Sequence, residues 1–232
     1  DIKEKKIRFG LAAVKGVGAG TVELIVEERK NNGIFKSIFD LTKRVNHRAT
    51  NKKVMEGLAY SGAFDCFKNS HRAQYFFQKN DKENTLELAI RFGNICQEKN
   101  NTAQHSLFAD ENEILKEPVL PECNKWSRLE QVSKEKEVTG LYISGHPLDD
   151  FEFEIKKFCS HNIVQLNESE KLKNQEIFVA GMVTESQSKI TKNGKPYGNF
   201  TLEDYSGATS IMLFSEEYLK AKHLLEKNNF LY

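Results

Sequence analysis

The sequence predicts an α+β chain of more than one domain, all-α towards its N-terminus and β-rich towards its C-terminus. Three observations carry that prediction. Residues of one face recur at helical spacing through the first part, as apolar Val22, Ile25 and Val26 and then Arg29 do at i, i+3, i+4 and i+7. From Glu176 the period switches to that of strands, with Asn193-Gly194 between apolar runs, a strong hairpin signal. Between these regions, residues 98–122 hold six acidic and two basic residues plus Pro118 and Pro121, the composition of an extended linker.

Taken in order, Leu11, Ala12 and Val14 read as the end of a helix, and Gly16-Val17-Gly18 as a sharp turn into the helix of Val22 to Arg29. Asn31-Asn32-Gly33 ends that helix. Ser37 caps a short helix with Ile38, Phe39 and Leu41. A further helix runs from Asn51 through Val54, Leu58 and Ala59 to Ser61-Gly62. After Gly62-Ala63-Phe64, Ser70 caps a helix with Ala73, Phe76 and Phe77. Helix, glycine turn, helix thus occurs twice, with Phe64 replacing the second glycine in the later copy. Residues 85–97 add a helix with Leu86, Ala89, Ile90 and Gly93 on one face, and Trp126 to Ile143 another. Ser144-Gly145-His146-Pro147 breaks the latter. Strands are expected at Ile177–Val183, around Phe200-Thr201-Leu202, and from Gly207 through Phe214. A helix over Glu216–Leu225 and a strand beginning at Phe230 follow.

Composition bounds the chemistry. With 232 residues and 39% hydrophobic content the chain supports real cores. Its four cysteines lack CxxC spacing, so neither zinc nor a disulfide framework is suggested. No signal peptide or membrane-length apolar run is present, and a cytoplasmic setting is the expectation. The formal net charge of +1 hides an asymmetry: residues 1–76 carry 15 Lys and Arg against 8 Asp and Glu. The remainder is net acidic. A basic N-terminal module points to nucleic acid. Asp1 is no initiator methionine, and Tyr232 stops as an apolar segment begins, so the chain reads as a piece of a longer protein.

The stretch LAAVKGVGAGTVELI resembles the helix-hairpin-helix element, which binds nucleic-acid backbone without reading sequence. Glycines permit positive φ and close backbone approach, and the following helix start presents N–H groups to an anion. Lys15, Gly16, Val17, Gly18, Ala19 and Gly20 are the candidate phosphate contacts, with Arg8, Lys52, Lys53 and Arg72 as further cations. The three strands and helix of the C-terminal part resemble an OB-fold cut before closure, a partial β-barrel. Lys189, Lys192, Lys195 and Tyr197 near its hairpin fit single-stranded DNA, while Phe200 is open between stacking and core.

The order of motifs, IRFGLAAVKGVGAGTVELI, FKSIFDLTKRV, NKKVMEGLAYSGAFD, EKEVTGLYISGHPLDDF, IFVAGMV and TLEDYSGATSIMLF, resembles the catalytic alpha subunits of bacterial DNA polymerase III. The resemblance implies a C-terminal region of such a subunit. Its parts would be a tandem helix-hairpin-helix domain at 1–80, a helical extension at 81–103 and an acidic linker with a sliding-clamp peptide at 104–125. A connecting helix and turn at 126–160 and a truncated OB-like domain at 172–232 would follow. It implies as partners double-stranded and single-stranded DNA, the sliding clamp (beta subunit) and other replisome subunits. Gln104, Leu107 and Phe108 match the clamp-docking peptide, while His105 departs from the common leucine. The palm would lie before Asp1, with its carboxylates and divalent metal, Mg2+. No cofactor is expected in this chain, which should be catalytically inert although the parent is a DNA-directed DNA polymerase.

Two other readings differ in class. An NAD-dependent DNA ligase would need a K-x-D-G lysine and a zinc-type cysteine cluster, and this sequence has neither. A non-enzymatic repair or replication adaptor would use the same binding modules as its whole function. His146 reads as part of a structural turn and Trp126 as a packing anchor.

Overall fold

The computed structural model describes residues 8–78, 83–103, 116–167 and 172–232. The chain divides into two compact units, residues 1–144 and 145–232.

The first unit is helical: α1 (Ala19–Asn32), α2 (Ile38–Arg44), α3 (Lys52–Tyr60), α4 (Arg72–Phe76), α5 (Thr85–Ala103) and α6 (Arg128–Thr139). Local chemistry sets the ends. Ser37 Oγ accepts from Asp40 N–H at 3.0 Å, Asn51 Oδ1 from Val54 N–H at 3.1 Å, and Ser127 Oγ from Glu130 N–H at 3.2 Å. Gly33 (φ 81°) and Gly140 (φ 77°) terminate α1 and α6 in conformations that suit glycine. One apolar core joins Ile25 of α1, Phe39 of α2, Met55 and Leu58 of α3, Tyr75 of α4, and Leu86 and Phe92 of α5. α2 and α5 approach so closely that a Cβ on Gly93 would stand 2.4 Å from Thr42 O.

Several expectations need correction here. Leu11–Ala13 form a short 3-10 turn, not the end of an α-helix. His71, not Ser70, precedes α4; its N–H donates to Gln74 Oε1 at 2.9 Å, while Ser70 Oγ accepts from Tyr75 Oη at 2.9 Å. α5 continues through residues 98–103, which the linker reading had left extended. Leu86, Ala89 and Phe92 of α5 lie in the same core as the hairpins, Val138 of α6 packs against it, and Trp126, just before α6, stacks on Tyr60 and Phe76. The proline segment is anchored too, since Gln74 Nε2 donates to Pro121 O at 2.8 Å.

The second unit is α+β. A four-stranded antiparallel sheet, ordered β3-β2-β1-β4, is formed by β1 (Gly181–Ile190), β2 (Pro196–Glu203), β3 (Ala208–Phe214) and β4 (Phe230–Leu231). It curls as a half-barrel in the OB-like manner, with a register shift between Val183 and Glu185 in β1. Asn193-Gly194 makes the expected β1–β2 turn, with Gly194 at φ 75°. β1 starts four residues later than Ile177 and runs through the polar stretch to Ile190. Cross-strand pairing, not apolar content, holds that stretch in the sheet. α7 (Glu152–Phe158) precedes the sheet, and α8 (Ser215–Ala221) covers its inner face through Tyr218, whose hydroxyl donates to Ser188 Oγ at 2.6 Å. His146 is structural: Leu148 N–H donates to its Nδ1 at 3.2 Å, and its ring lies on Tyr205.

Candidate nucleic-acid interface

Gly16 and Gly18 play different parts in the first hairpin. Gly16 takes φ 85°, the left-handed geometry that reverses the chain. Gly18 is extended and serves as the N-cap of α1 without any side-chain cap. The first helical bond runs from Val22 N–H to Gly18 O at 3.2 Å, so the N–H groups of the first turn are left for an outside acceptor. A Cβ added at Gly18 or Gly20 would meet nothing within 4 Å. Neither internal packing nor positive φ requires glycine at these two positions.

The six predicted phosphate contacts separate accordingly. Lys15, Gly16, Gly18, Ala19 and Gly20 are exposed. Val17 is not; at 4% exposure it joins Val14 in the core and anchors the turn from behind. The turn rests on α3 and α6. Lys15 N–H donates to Val138 O at 2.8 Å, and Gly57 of α3 lies under the hairpin, where a Cβ would stand 3.0 Å from Lys15 O and 3.3 Å from Val17 Cγ2. Gly57 was not singled out from the sequence. Its spacing of four residues from Lys53 was the available signal, since such pairs share a helix face.

The second hairpin is closed from inside. Gly62 also takes a positive φ, 80°, but a Cβ there would lie 2.1 Å from Arg72 Nη2. Arg72 donates to Asp65, to Tyr60 O at 3.2 Å and to Glu135 Oε1 at 3.1 Å. Burial opposes its charge, but the hydrogen bonds and charges of Asp65 and Glu135 outweigh burial and raise its pKa. The Arg72 side chain therefore covers the second turn at Gly62, where the first turn at Gly18 and Gly20 is open. Arg72 does not join the outward cations. Lys52 is paired as well, its Nζ 2.7 Å from Glu87 Oε1.

These two hairpins agree with what known proteins show. Residues 1–75 match the family described as a helix-hairpin-helix motif. Along the chain, 230 residues are 33% identical to a DNA polymerase III subunit alpha of Escherichia coli O157:H7, covering 97% of this chain and 19% of that protein. The chain is a relative of one segment of the DNA polymerase III alpha subunit. The subunit from Aquifex aeolicus is 34% identical over 226 residues, 97% of this chain and 17% of its own length. That of Deinococcus radiodurans is 35% identical over 223 residues, 92% and 16% respectively. The chain thus spans less than a fifth of the length of these polymerase subunits.

In the second unit, Lys189, Tyr197 and Phe214 form one row across β1, β2 and β3, by the pairs Lys189↔Tyr197 and Tyr197↔Phe214. The Tyr197 and Phe214 rings stack at 5.5 Å on the face away from the core. Lys192 and Lys195 flank the turn and are exposed. Phe200 points the other way, 6% exposed in the core with Val183 and Leu202, which resolves its alternative in favour of packing. Phe214 escaped the sequence reading because strand alternation does not reveal which face is inner. Gln104, Leu107 and Phe108 lie outside the described residues. Among the described residues no group of three or more His, Cys, Asp or Glu is placed to hold a metal ion. No helix among them is long and apolar enough to cross a membrane.

Proposed function

We infer that this chain is a DNA-holding and clamp-tethering part of a bacterial replicative polymerase. The observation that carries the reading is the open space before Gly18 and Gly20 at the uncapped start of α1. Backbone N–H groups there, with Lys15 beside them, suit a phosphate of duplex DNA and ignore base sequence, as a replicase requires. The first hairpin is the phosphate site, and the second, covered by Arg72, braces it.

The Lys189, Tyr197 and Phe214 row, with Lys192 and Lys195, offers single-stranded DNA a cation and a stacking surface. Gln104, Leu107 and Phe108 serve as the docking peptide for the sliding clamp, with two apolar side chains for a pocket and an amide to set register. Tethering of this kind raises the effective concentration of polymerase at the primer end. Nucleotidyl transfer, with its carboxylates and Mg2+, belongs to another part of the parent protein, as do contacts to other replisome subunits. This chain alone is inert in catalysis.

Fluorescence anisotropy on duplex and single-stranded oligonucleotides, at low and moderate salt, tests the reading. Duplex affinity should be independent of sequence, fall steeply with salt and weaken on replacing Gly18 and Gly20. Absence of duplex binding at low salt sinks it. Loss of clamp capture on replacing Leu107 and Phe108 by Ala tests the tether separately.

A further inference from the structure

We propose that Lys53 is a phosphate-binding cation of the first hairpin, seated there by the missing side chain of Gly16. The proposal rests on the reading of that hairpin as a duplex-backbone site. Lys53 belongs to α3, far from the hairpin in sequence, yet its aliphatic stem lies along Gly16. A Cβ on Gly16 would stand 3.1 Å from Lys53 Cγ, 3.2 Å from Cε and 3.6 Å from Cδ. Four residues on, Gly57 touches the other half of the same turn, so one face of α3 carries both contacts. The backbone of α3 at Lys53 and the hairpin therefore lie side by side.

Electrostatics gives this placement a purpose. Lys52 and Lys53 occupy the first turn of α3, where the helix dipole disfavours cations. Glu87 compensates Lys52. Lys53 is exposed, and no carboxylate among the described residues pairs with it. A cation with no partner among the described residues, lying along the turn that leads into the uncapped start of α1, fits an anion that comes from outside. Of the cations considered for this surface, Arg72 is buried in ion pairs, Lys52 is paired with Glu87 and Arg8 has an interaction of its own, whereas Lys53 lies on the hairpin that carries Lys15.

The test is the salt dependence of duplex binding by the whole 232-residue chain, native, Lys53→Met and Lys53→Arg, with Lys30→Met as control. Lys30 is an exposed lysine in the last turn of α1, roughly 16 Å along the helix from the hairpin. Loss of one phosphate contact should lower the slope of log K against log salt by about 0.9 in Lys53→Met. Lys53→Arg should restore it, and Lys30→Met should leave it unchanged. If Gly16 acts by seating Lys53, replacing Gly16 by Ala should weaken binding much less in the Lys53→Met background than in the native one. A native slope retained in Lys53→Met, with binding still lost on replacing Gly18 and Gly20, overturns the role of Lys53 and spares the hairpin. An equal fall in Lys30→Met overturns it too. Absence of salt-dependent binding by the native chain overturns both.

Discussion

Arg72 Nη1 donates to Glu135 Oε1 at 3.1 Å between side chains that are 5% and 1% exposed, joining α4 to α6. The other carboxylate oxygen, Oε2, accepts from Ile143 N–H at 2.8 Å and Ser144 N–H at 2.7 Å. The pair thus ties the second hairpin to the chain segment that follows α6. Removing Glu135 leaves the buried Arg72 with only Asp65 and Tyr60 O and takes the acceptor from the Ile143 and Ser144 N–H groups. Glu135→Ala should cost roughly 3–5 kcal/mol of stability for the first unit in urea unfolding. Duplex binding by the folded fraction should keep its native salt slope, since neither residue faces outward.

Gly57 and Gly18 should respond oppositely to alanine. At Gly57 a Cβ crowds Lys15 O at 3.0 Å, so Gly57→Ala should shift the hairpin and weaken duplex binding although the residue touches no DNA. At Gly18 nothing stands within 4 Å, so the fold should be kept, with a loss of about 1 kcal/mol at most from alanine at the N-cap. Any loss of duplex affinity in Gly18→Ala then reports approach of the ligand. Thermal melts paired with anisotropy separate the two effects.

The Lys52 and Glu87 pair carries a pH signature. The hydrogen bond from Lys52, then that from Asn84 N–H, hold the Glu87 carboxyl below its ordinary range. A carboxyl with a depressed folded-state pKa contributes stability above its unfolded-state pKa and loses it as pH falls through the folded value. Native and Glu87→Gln chains should therefore differ in melting temperature at neutral pH and converge below about pH 4. The difference should be small and shrink with salt, because the pair is solvent-exposed.

On the sheet, two phenylalanines should separate function from fold. Phe200→Ala should cost about 3–5 kcal/mol, as a core deletion does. Phe214→Ala should leave stability nearly native and weaken single-strand binding by about 1–3 kcal/mol, the worth of one stacked base. Lys189→Met should instead lower the salt slope. Equal single-strand affinity in native and Phe214→Ala chains would remove the stacking row from the function.

The sequence by itself determined where helices, turns and strands arise, because those signals are local. Ser37, Asn51, Gly33 and Asn193-Gly194 act through side-chain hydrogen bonds or allowed φ values within a few residues. The first glycine hairpin was legible for the same reason, as was the β-rich character of the second unit. Tertiary structure alone decided which cations are available and which way each residue faces. Arg72, Lys52 and Lys53 look alike as letters, but one is locked by Asp65 and Glu135, one is neutralised by Glu87, and one lies on Gly16. Val17 and Phe200 turned inward, and Phe214 outward, by the same logic. A charge or ring takes its role from partners distant in sequence, and only packing brings those partners into contact.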